Sequence, residues 1–177
     1  VVTISSNDST TVFSGFTIQN GFSYVGGGII LEGGNPNISY CNFKNNYSSN
    51  AGGGVYIYVS NPIFSNCTFL SNTCYGNGGG GTIYETSNSV FNNCQFINNT
   101  SSLRGGAINL DNNGNTIFNE CIFTGNTSSY EVLRIRNNSN PKFYNCLIVN
   151  NPNHAINCDY ASSPNFINST IVNNYSS

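Results

Sequence analysis

The sequence predicts an all-β protein, a single-stranded parallel β-helix of about seven rungs with a period of about 25 residues. Three observations lead to this fold class. A nine-residue motif recurs along the chain, a glycine pair followed by strand-forming residues lies between its copies, and turn-forming residues close each unit. The 177 residues, 38% of them apolar, suffice for one core, so we expect a single domain spanning residues 1–177.

The motif F-x-x-C-x-F-x-x-N marks the position of each rung in the sequence. It occurs without gaps in three consecutive copies that start at Phe64, Phe91 and Phe118, and with substitutions in four more. The rungs are centred near Phe16, Cys41, Cys67, Cys94, Cys121, Cys146 and Ser169. Because one rung cannot bury its apolar face alone, we expect equivalent side chains to stack at the strand spacing of about 4.8 Å.

Stacking in register predicts a core column and a polar column. The core column contains Phe64, Cys67, Phe69, Phe91, Cys94, Phe96, Phe118, Cys121 and Phe123. The last motif position predicts a ladder of stacked amides, which can hydrogen-bond to one another along the rod: Asn46, Asn72, Asn99, Asn126, Asn151 and Asn174.

The other half of each unit decides between two repeat architectures. The motif has the shape of the leucine-rich repeat, whose period is similar. That fold needs a leucine-rich helix or tight turn opposite its strand, whereas this chain has six leucines in all. Instead, glycine pairs such as Gly53 and Gly54 precede Ile, Val, Tyr and Thr, which favour strands. Turns such as Asn61-Pro62 follow, so the β-helix is preferred.

The pair of motifs, Gly-Gly-Ala-Ile at residues 105–108 and Phe-x-x-Asn starting at Phe43, Phe69, Phe96 and Phe123, resembles the polymorphic outer-membrane protein repeat. That family is built on GGA[ILV] and FxxN. The resemblance covers about residues 13–175 and implies a right-handed parallel β-helix of the kind displayed on bacterial surfaces as adhesin-like domains. Similar repeats also occur in large surface proteins of other microbes.

The seven cysteines are not expected to form a disulfide framework, since an odd number cannot pair within one chain. Five share one column, where side chains point the same way and bridge geometry is poor, so we expect reduced thiols that act as small apolar filler. Cys74 and Cys158 lie off the column, and Cys74 is expected to be a free surface thiol. No spacing indicates a zinc site, and no metal or cofactor is expected.

Charge excludes several partners. Only 7% of residues are charged and the net charge is −2, so basic side chains are too few to neutralise a run of phosphates, and nucleic acid is not expected to bind. The longest apolar run, residues 55–59, is too short for membrane insertion. With 35 asparagines, hydration depends on amides and hydroxyls. N-linked sugar would add to it, and the candidate acceptors are Asn7, Asn37, Asn66, Asn98, Asn137 and Asn168.

Catalysis has to be argued from residues, because β-helices carry several functions. Glu85 and Asp111 lie on adjacent rungs and are the best candidates for a carboxylate pair of the kind that hydrolyses glycosides. Arg134 and Arg136 follow on the next rung, and surface ion pairs with Asp111 and Asp159 are the commoner outcome. The lone His154 is expected at a corner rather than as a catalytic base.

The preferred interpretation is a noncatalytic structural or adhesin-like protein, extracellular or at the cell surface, such as a glycosylated stalk or filament subunit. Strands at both ends of the chain would present unpaired edges, which predicts end-to-end self-association or continuation of the same polypeptide into further repeats. Glycans or cell-surface ligands are expected partners. The alternative is a carbohydrate-active enzyme, a lyase or hydrolase, or a sugar-binding module on the same fold.

Overall fold

The computed structural model describes residues 1–5, 11–112 and 114–175. They form a right-handed parallel β-solenoid of about six turns with a period of about 26 residues. Three sheets contain seven strands each and a fourth contains four, and every strand pairing is parallel. The predicted fold class is confirmed. The described residues contain no helix, so the leucine-rich alternative is wrong.

The first four turns pass through sheets A, B, C and D in that order, and in the later turns the described residues form no strand of sheet D. Sheet A contains Val2–Ile4, Ile29–Glu32, Val55–Tyr58, Gly81–Tyr84, Ile108–Asp111, Glu131–Arg136 and His154–Cys158. Sheet B contains Val12–Ser14, Asn37–Ser39, Ile63–Ser65, Val90–Asn92, Ile117–Asn119, Lys142–Tyr144 and Asn165–Ile167. Sheet C contains Thr17–Gln19, Asn42–Lys44, Thr68–Leu70, Gln95–Ile97, Ile122–Thr124, Leu147–Val149 and Thr170–Val172. Sheet D contains Phe22–Val25, Tyr47–Ala51, Thr73–Cys74 and Thr100–Ser101.

Two columns of phenylalanine rings fill the core. In sheet C, Phe69 and Phe96 stack with their ring centroids 4.7 Å apart, and in sheet B, Phe64 and Phe91 stack at 4.9 Å. Rings of the two columns meet edge to face, as Phe69 and Phe91 do at 6.2 Å. All nine residues assigned to the core column are at most 1% exposed. Aliphatic side chains of sheet A, such as Ile57, complete the core.

The first rung departs from the pattern at Phe16. Its backbone oxygen accepts a hydrogen bond from the Asn42 amide, so the position is in register with Cys41. Its ring is nevertheless 52% exposed and stacks on Phe13 at 4.4 Å. The other residues of this column are Cys and Ser, which are much smaller than phenylalanine.

Asparagine has a second use at the corners between sheets. One residue at each corner between sheets B and C has a positive φ: Gly15, Tyr40, Asn66, Asn93, Glu120, Asn145 and Asn168. Directly after the strands of sheet C the corresponding residues are Asn20, Asn45, Ser71, Asn98, Gly125, Asn150 and Asn173. Asparagine tolerates this left-handed conformation better than most residues. The two corner positions are the third and the eighth residues of the nine-residue motif.

The glycine pairs are required by close backbone approach rather than by strand formation. A Cβ atom added to Gly54 would lie 2.5 Å from the Gly80 oxygen and 3.0 Å from Nδ2 of Asn72. Any side chain at this position would therefore displace both the neighbouring turn and the asparagine ladder.

Candidate functional site

The six predicted ladder asparagines form one hydrogen-bonded column. At the central step, the backbone N–H and Nδ2 of Asn72 donate to Oδ1 of Asn99 at 2.9 and 3.0 Å. Nδ2 of Asn99 also donates to the Phe69 carbonyl at 2.9 Å. The same pattern extends through Asn46, Asn126, Asn151 and Asn174. Five of the six side chains are buried and Asn174 is half-buried. Each amide has a hydrogen-bond partner on both its nitrogen and its oxygen, so the column leaves no buried amide unpaired.

The cysteine column has a polar role that the sequence did not indicate. Its five thiols are buried and unbonded to one another. Sγ of Cys121 donates to the carbonyl of Phe91, one turn earlier, at 3.4 Å. Oγ of Ser169 makes the equivalent bond to the Phe143 carbonyl at 3.2 Å. The column therefore favours a small side chain that can donate a hydrogen bond. Burial raises the pKa of the Cys121 thiol, so this thiol keeps its proton.

The two cysteines off the column differ in exposure. Cys74 is buried in sheet D, so the expectation of a surface thiol there is wrong, whereas Cys158 is exposed at the end of sheet A. Sequence reasoning missed this because Cys74 belongs to the short sheet D, which the motif does not include.

A thiol reagent is expected to label one cysteine rapidly in the native protein, since Cys158 alone is exposed among the seven. After unfolding in guanidinium without reductant, all seven are expected to react. Absorbance of the released chromophore measures both numbers, and Cys158→Ser is expected to abolish the native reaction. Rapid labelling of several native thiols, or fewer than seven after unfolding, would contradict the burial and reduced state of the column.

The candidate glycosylation sites differ in exposure. Four have exposed side chains: Asn37, Asn66, Asn98 and Asn168. Asn137 is half-buried, and its Nδ2 donates to Oδ1 of Asp111 at 2.7 Å. Asn7 lies outside the described residues. Access therefore favours the four exposed sites as acceptors.

The outward side of sheet A carries most of the charged side chains. Strand register places Asn109, Arg134 and Asn157 in one outward row, and Tyr84, Asp111 and Arg136 in the next. The loops that precede the strands border the rows with Asn77, Arg104 and Tyr130. We call this surface, from Tyr56 to Asn157 with its bordering side chains, the polar groove.

Two cavities lie along the polar groove. The smaller, about 190 Å³, is lined by Asn50, Ala51, Tyr56, Asn77, Thr82, Tyr84, Asn109 and Asp111. The larger, about 410 Å³, is lined by Arg104, Tyr130, Glu131, His154, Ile156 and Asn157. Arg134 lies between the two cavities, because its partners in register are Asn109, which lines the smaller cavity, and Asn157, which lines the larger one. Its Nη1 also donates a hydrogen bond to Oδ1 of Asn77 in the smaller cavity, at 3.4 Å.

An ion pair between a half-exposed arginine and a buried glutamate forms one wall of the larger cavity. Nη1 of Arg104 lies 3.2 Å from Oε2 of Glu131, and the guanidinium carbon lies 4.2 Å from the centre of the Tyr130 ring. Glu131 is 2% exposed. Burial raises the pKa of Glu131, although Arg104 and Arg134 act in the opposite direction. Desolvation thus outweighs the pairing, and the carboxyl takes a proton more readily than a solvated glutamate.

The carboxylates suggested for catalysis have separate partners. Oε2 of Glu85 accepts a hydrogen bond from Asn112 at 3.1 Å. Asp111 instead lies 3.5 Å from Nε of Arg136, in agreement with the ion pair expected between them. His154 is exposed and opposite Glu131 in register.

Sequence reasoning did not single out the Arg104–Glu131 cluster. The only available signal was their separation of 27 residues, which places them on neighbouring turns. Within the described residues, no group of three or more His, Cys, Asp or Glu side chains is arranged to hold a metal ion. Across residues 1–5, 11–112 and 114–175, no helix has the length and apolar character needed to cross a membrane.

Comparison with known proteins agrees with this architecture. A family model described as a right-handed beta helix region matches residues 2–174. No curated protein and no solved structure matches the chain significantly. The family match therefore supports the fold over almost the whole sequence.

Proposed function

Because the chain belongs to the right-handed β-helix family, a fold of enzymes and non-enzymes alike, we propose that it is a noncatalytic rod at the cell surface or outside the cell. In this role it serves as a stalk, filament or adhesin-like segment, and its turns continue into further β-helical turns, either of the same polypeptide or of a second copy. The resemblance to polymorphic outer-membrane protein repeats supports the surface location.

The observation that carries this proposal is the exposure of core-type side chains at the ends of the solenoid. Ile148 is fully buried, whereas Ile171, its partner in register on the last turn, is 45% exposed. At the first turn, Phe13 is only partly buried, whereas Ile38, its partner in register on the next turn, is 1% exposed. Covering these side chains with another turn would remove apolar surface from water at about 25 cal/mol per Å².

The backbone at the two ends is suited to the same contact. Among the residues that the structure describes, the first and last strands of sheets A, B and C each have one neighbour, so one edge of each has no partner strand. All the pairings inside the solenoid are parallel, and a head-to-tail contact would repeat the pairing that each interior turn already makes. Unpaired edges of this kind readily accept further strands.

A surface rod with few charges also needs hydration. Four candidate acceptor asparagines are exposed along its sides, away from the core and the ladder. N-linked sugar at these positions would add hydroxyl groups without disturbing the stacking, and this supports the glycoprotein part of the proposal.

Sedimentation velocity over a range of protein concentrations tests the end-to-end contact. We expect rod-like oligomers that lengthen with concentration. The variant Ile171→Lys places a charge on the terminal edge and is expected to raise the concentration of half-association by about tenfold or more, equivalent to about 1.4 kcal/mol.

The matched control is Tyr75→Lys, because Tyr75 is 67% exposed on the side of the rod rather than at an end. It is expected to associate like the unmodified chain. The proposal would be wrong if the unmodified protein stayed monomeric at the highest concentration, or if both variants weakened association equally.

A further inference from the structure

Unpartnered buried polar atoms are concentrated in the polar groove. In the part of the chain that the structure describes, eight buried side-chain nitrogen or oxygen atoms have no hydrogen-bond partner. Five of them belong to the polar groove or its border: Asn109 Oδ1, Glu131 Oε1, Arg134 Nε, Asn157 Oδ1 and Asp159 Oδ1. A sixth, Nε of Arg136, lies in the ion pair with Asp111 and is not free for a ligand. Because an unsatisfied buried polar group is costly, so many on one surface indicate a site that receives complementary groups.

Three of these side chains are deeply buried, although Asn109 and Arg134 lie in the outward row of sheet A and Glu131 lines the larger cavity. Glu131 is 2%, Asn109 is 4% and Arg134 is 8% exposed. They differ from surface polar groups, which bulk water satisfies. Their positions are fixed by the parallel register of sheet A, since Asn109, Arg134 and Asn157 occupy the same position on three successive turns. The donors and acceptors are therefore preorganised before any ligand arrives.

Charge around Arg134 is balanced, because Arg104, Arg134 and Arg136 lie near three acidic side chains, Asp111, Glu131 and Asp159. At the Tyr56 end of the groove, Glu32 and Glu85 add negative charge. Two of the arginines are already paired, at 3.2 and 3.5 Å. A phosphate or polyanion would gain little here, because each arginine is engaged by or close to a carboxyl group. The balance favours a neutral ligand.

The unpartnered atoms would be satisfied by a ligand that both donates and accepts hydrogen bonds. The Asn109 and Glu131 oxygens need donors, whereas Nε of Arg134 needs an acceptor. A hydroxyl group does both, and a neutral saccharide carries several hydroxyls at close spacing. Aromatic surface is also available, because Tyr56 and Tyr84 line the smaller cavity. The larger cavity, about 410 Å³, falls in the usual range for small-ligand sites.

An extended peptide fits this surface less well. Peptides usually bind to sheets by adding a strand to a free edge. The polar groove lies on the face of sheet A, where the strands on both sides are already paired. Its walls also provide charged and amide groups rather than apolar pockets for side chains.

We infer that the polar groove binds a neutral oligosaccharide, which Asn109, Glu131, Arg134 and Asn157 hold by hydrogen bonds to its hydroxyls. The ligand lies along the groove across neighbouring turns, with one sugar unit in the larger cavity. Binding does not require the end contacts proposed above, so this site and the end-to-end association can fail separately.

The test uses the full chain on an array of neutral gluco-, manno- and galacto-oligosaccharides, with uronate oligosaccharides and short peptides on the same surface. Retention of at least one neutral glycan is expected, with weaker retention of the acidic ones. Calorimetric titration with the retained glycan then measures affinity. Arg134→Gln and Asn157→Ala are each expected to lower affinity by about tenfold or more.

Two controls separate binding from folding. Asn42→Ala changes an exposed asparagine on sheet C and is expected to leave affinity unchanged. Asn157 is half-buried, so its variant is expected to keep the thermal midpoint of the unmodified chain even if the Arg134 variant does not. The inference would be overturned by retention of no neutral glycan, by a preference for uronates or peptides, or by affinities that neither groove variant changes. Cleavage of a retained glycan would contradict the noncatalytic function instead.

Discussion

Replacement of Phe96 with alanine is expected to lower the free energy of unfolding by about 3–5 kcal/mol. The Phe96 ring is fully buried and lies between two parallel rings, 4.7 Å from Phe69 and 5.0 Å from Phe123. It also meets Phe91 and Phe118 edge to face, at 5.7 and 6.3 Å. Strands on both sides hold these neighbours in place, so they cannot collapse into the cavity. Chemical unfolding followed by circular dichroism measures the loss.

The control for this substitution is Phe22→Ala. Phe22 is 72% exposed and stacks on Tyr47 at 5.3 Å, so its loss is expected to cost about 1 kcal/mol or less. If both variants changed stability by similar amounts, the stacked core would not be the main source of stability.

Substitution of a ladder asparagine is expected to have an effect of similar size for a different reason. In Asn99→Leu, the volume is nearly kept but the hydrogen bonds are lost. The backbone N–H and Nδ2 of Asn72 lose their acceptor, and the carbonyl of Phe69 loses a donor. Each orphaned buried group costs about 1–3 kcal/mol, so the total is expected to be about 3 kcal/mol or more. Asn42→Leu, on the exposed side of sheet C, is the control.

The variant Asn99→Asp gives a readout that a packing defect would not change. A carboxylate at this position would face the Phe69 carbonyl and Oδ1 of Asn126, both of them acceptors. The neutral acid can still donate, so folding is expected to raise the pKa of the new carboxyl. The protonated carboxyl therefore stabilises the fold fully at pH values below its pKa in the unfolded chain. This stabilisation is lost as pH rises through its pKa in the folded chain. Stability independent of pH would contradict the ladder geometry.

The repeat made the core predictable. In a solenoid, a motif position that recurs at a constant period must stack on its own copies, so one alignment predicts both the register and the buried columns. Phe64, Phe91 and Phe118 pair in register in sheet B, as the motif predicts. The same logic predicted the asparagine ladder, because a polar residue that recurs in a buried column needs a partner in the next turn.

Other positions of the motif were harder to interpret. Asn66 and Asn93 occupy a variable position of the motif, yet both have positive φ at the corner between sheets B and C. The hydrogen bond from Cys121 to the Phe91 carbonyl is equally invisible in sequence, because the partner is a backbone atom of another turn. Both features depend on the path of the chain around the corner.

By itself, the sequence determined the coil, its period, the columns of phenylalanine and cysteine, and the ladder, because side chains that repeat at a fixed interval can be placed without knowing the detailed path between them. Only the tertiary structure decided that Arg104, Glu131 and Arg134 meet across neighbouring turns and that Cys74 is buried. These residues occur once each, outside the repeated positions. Their neighbours depend on how far each loop bulges from sheet A and on the register that the surrounding turns impose.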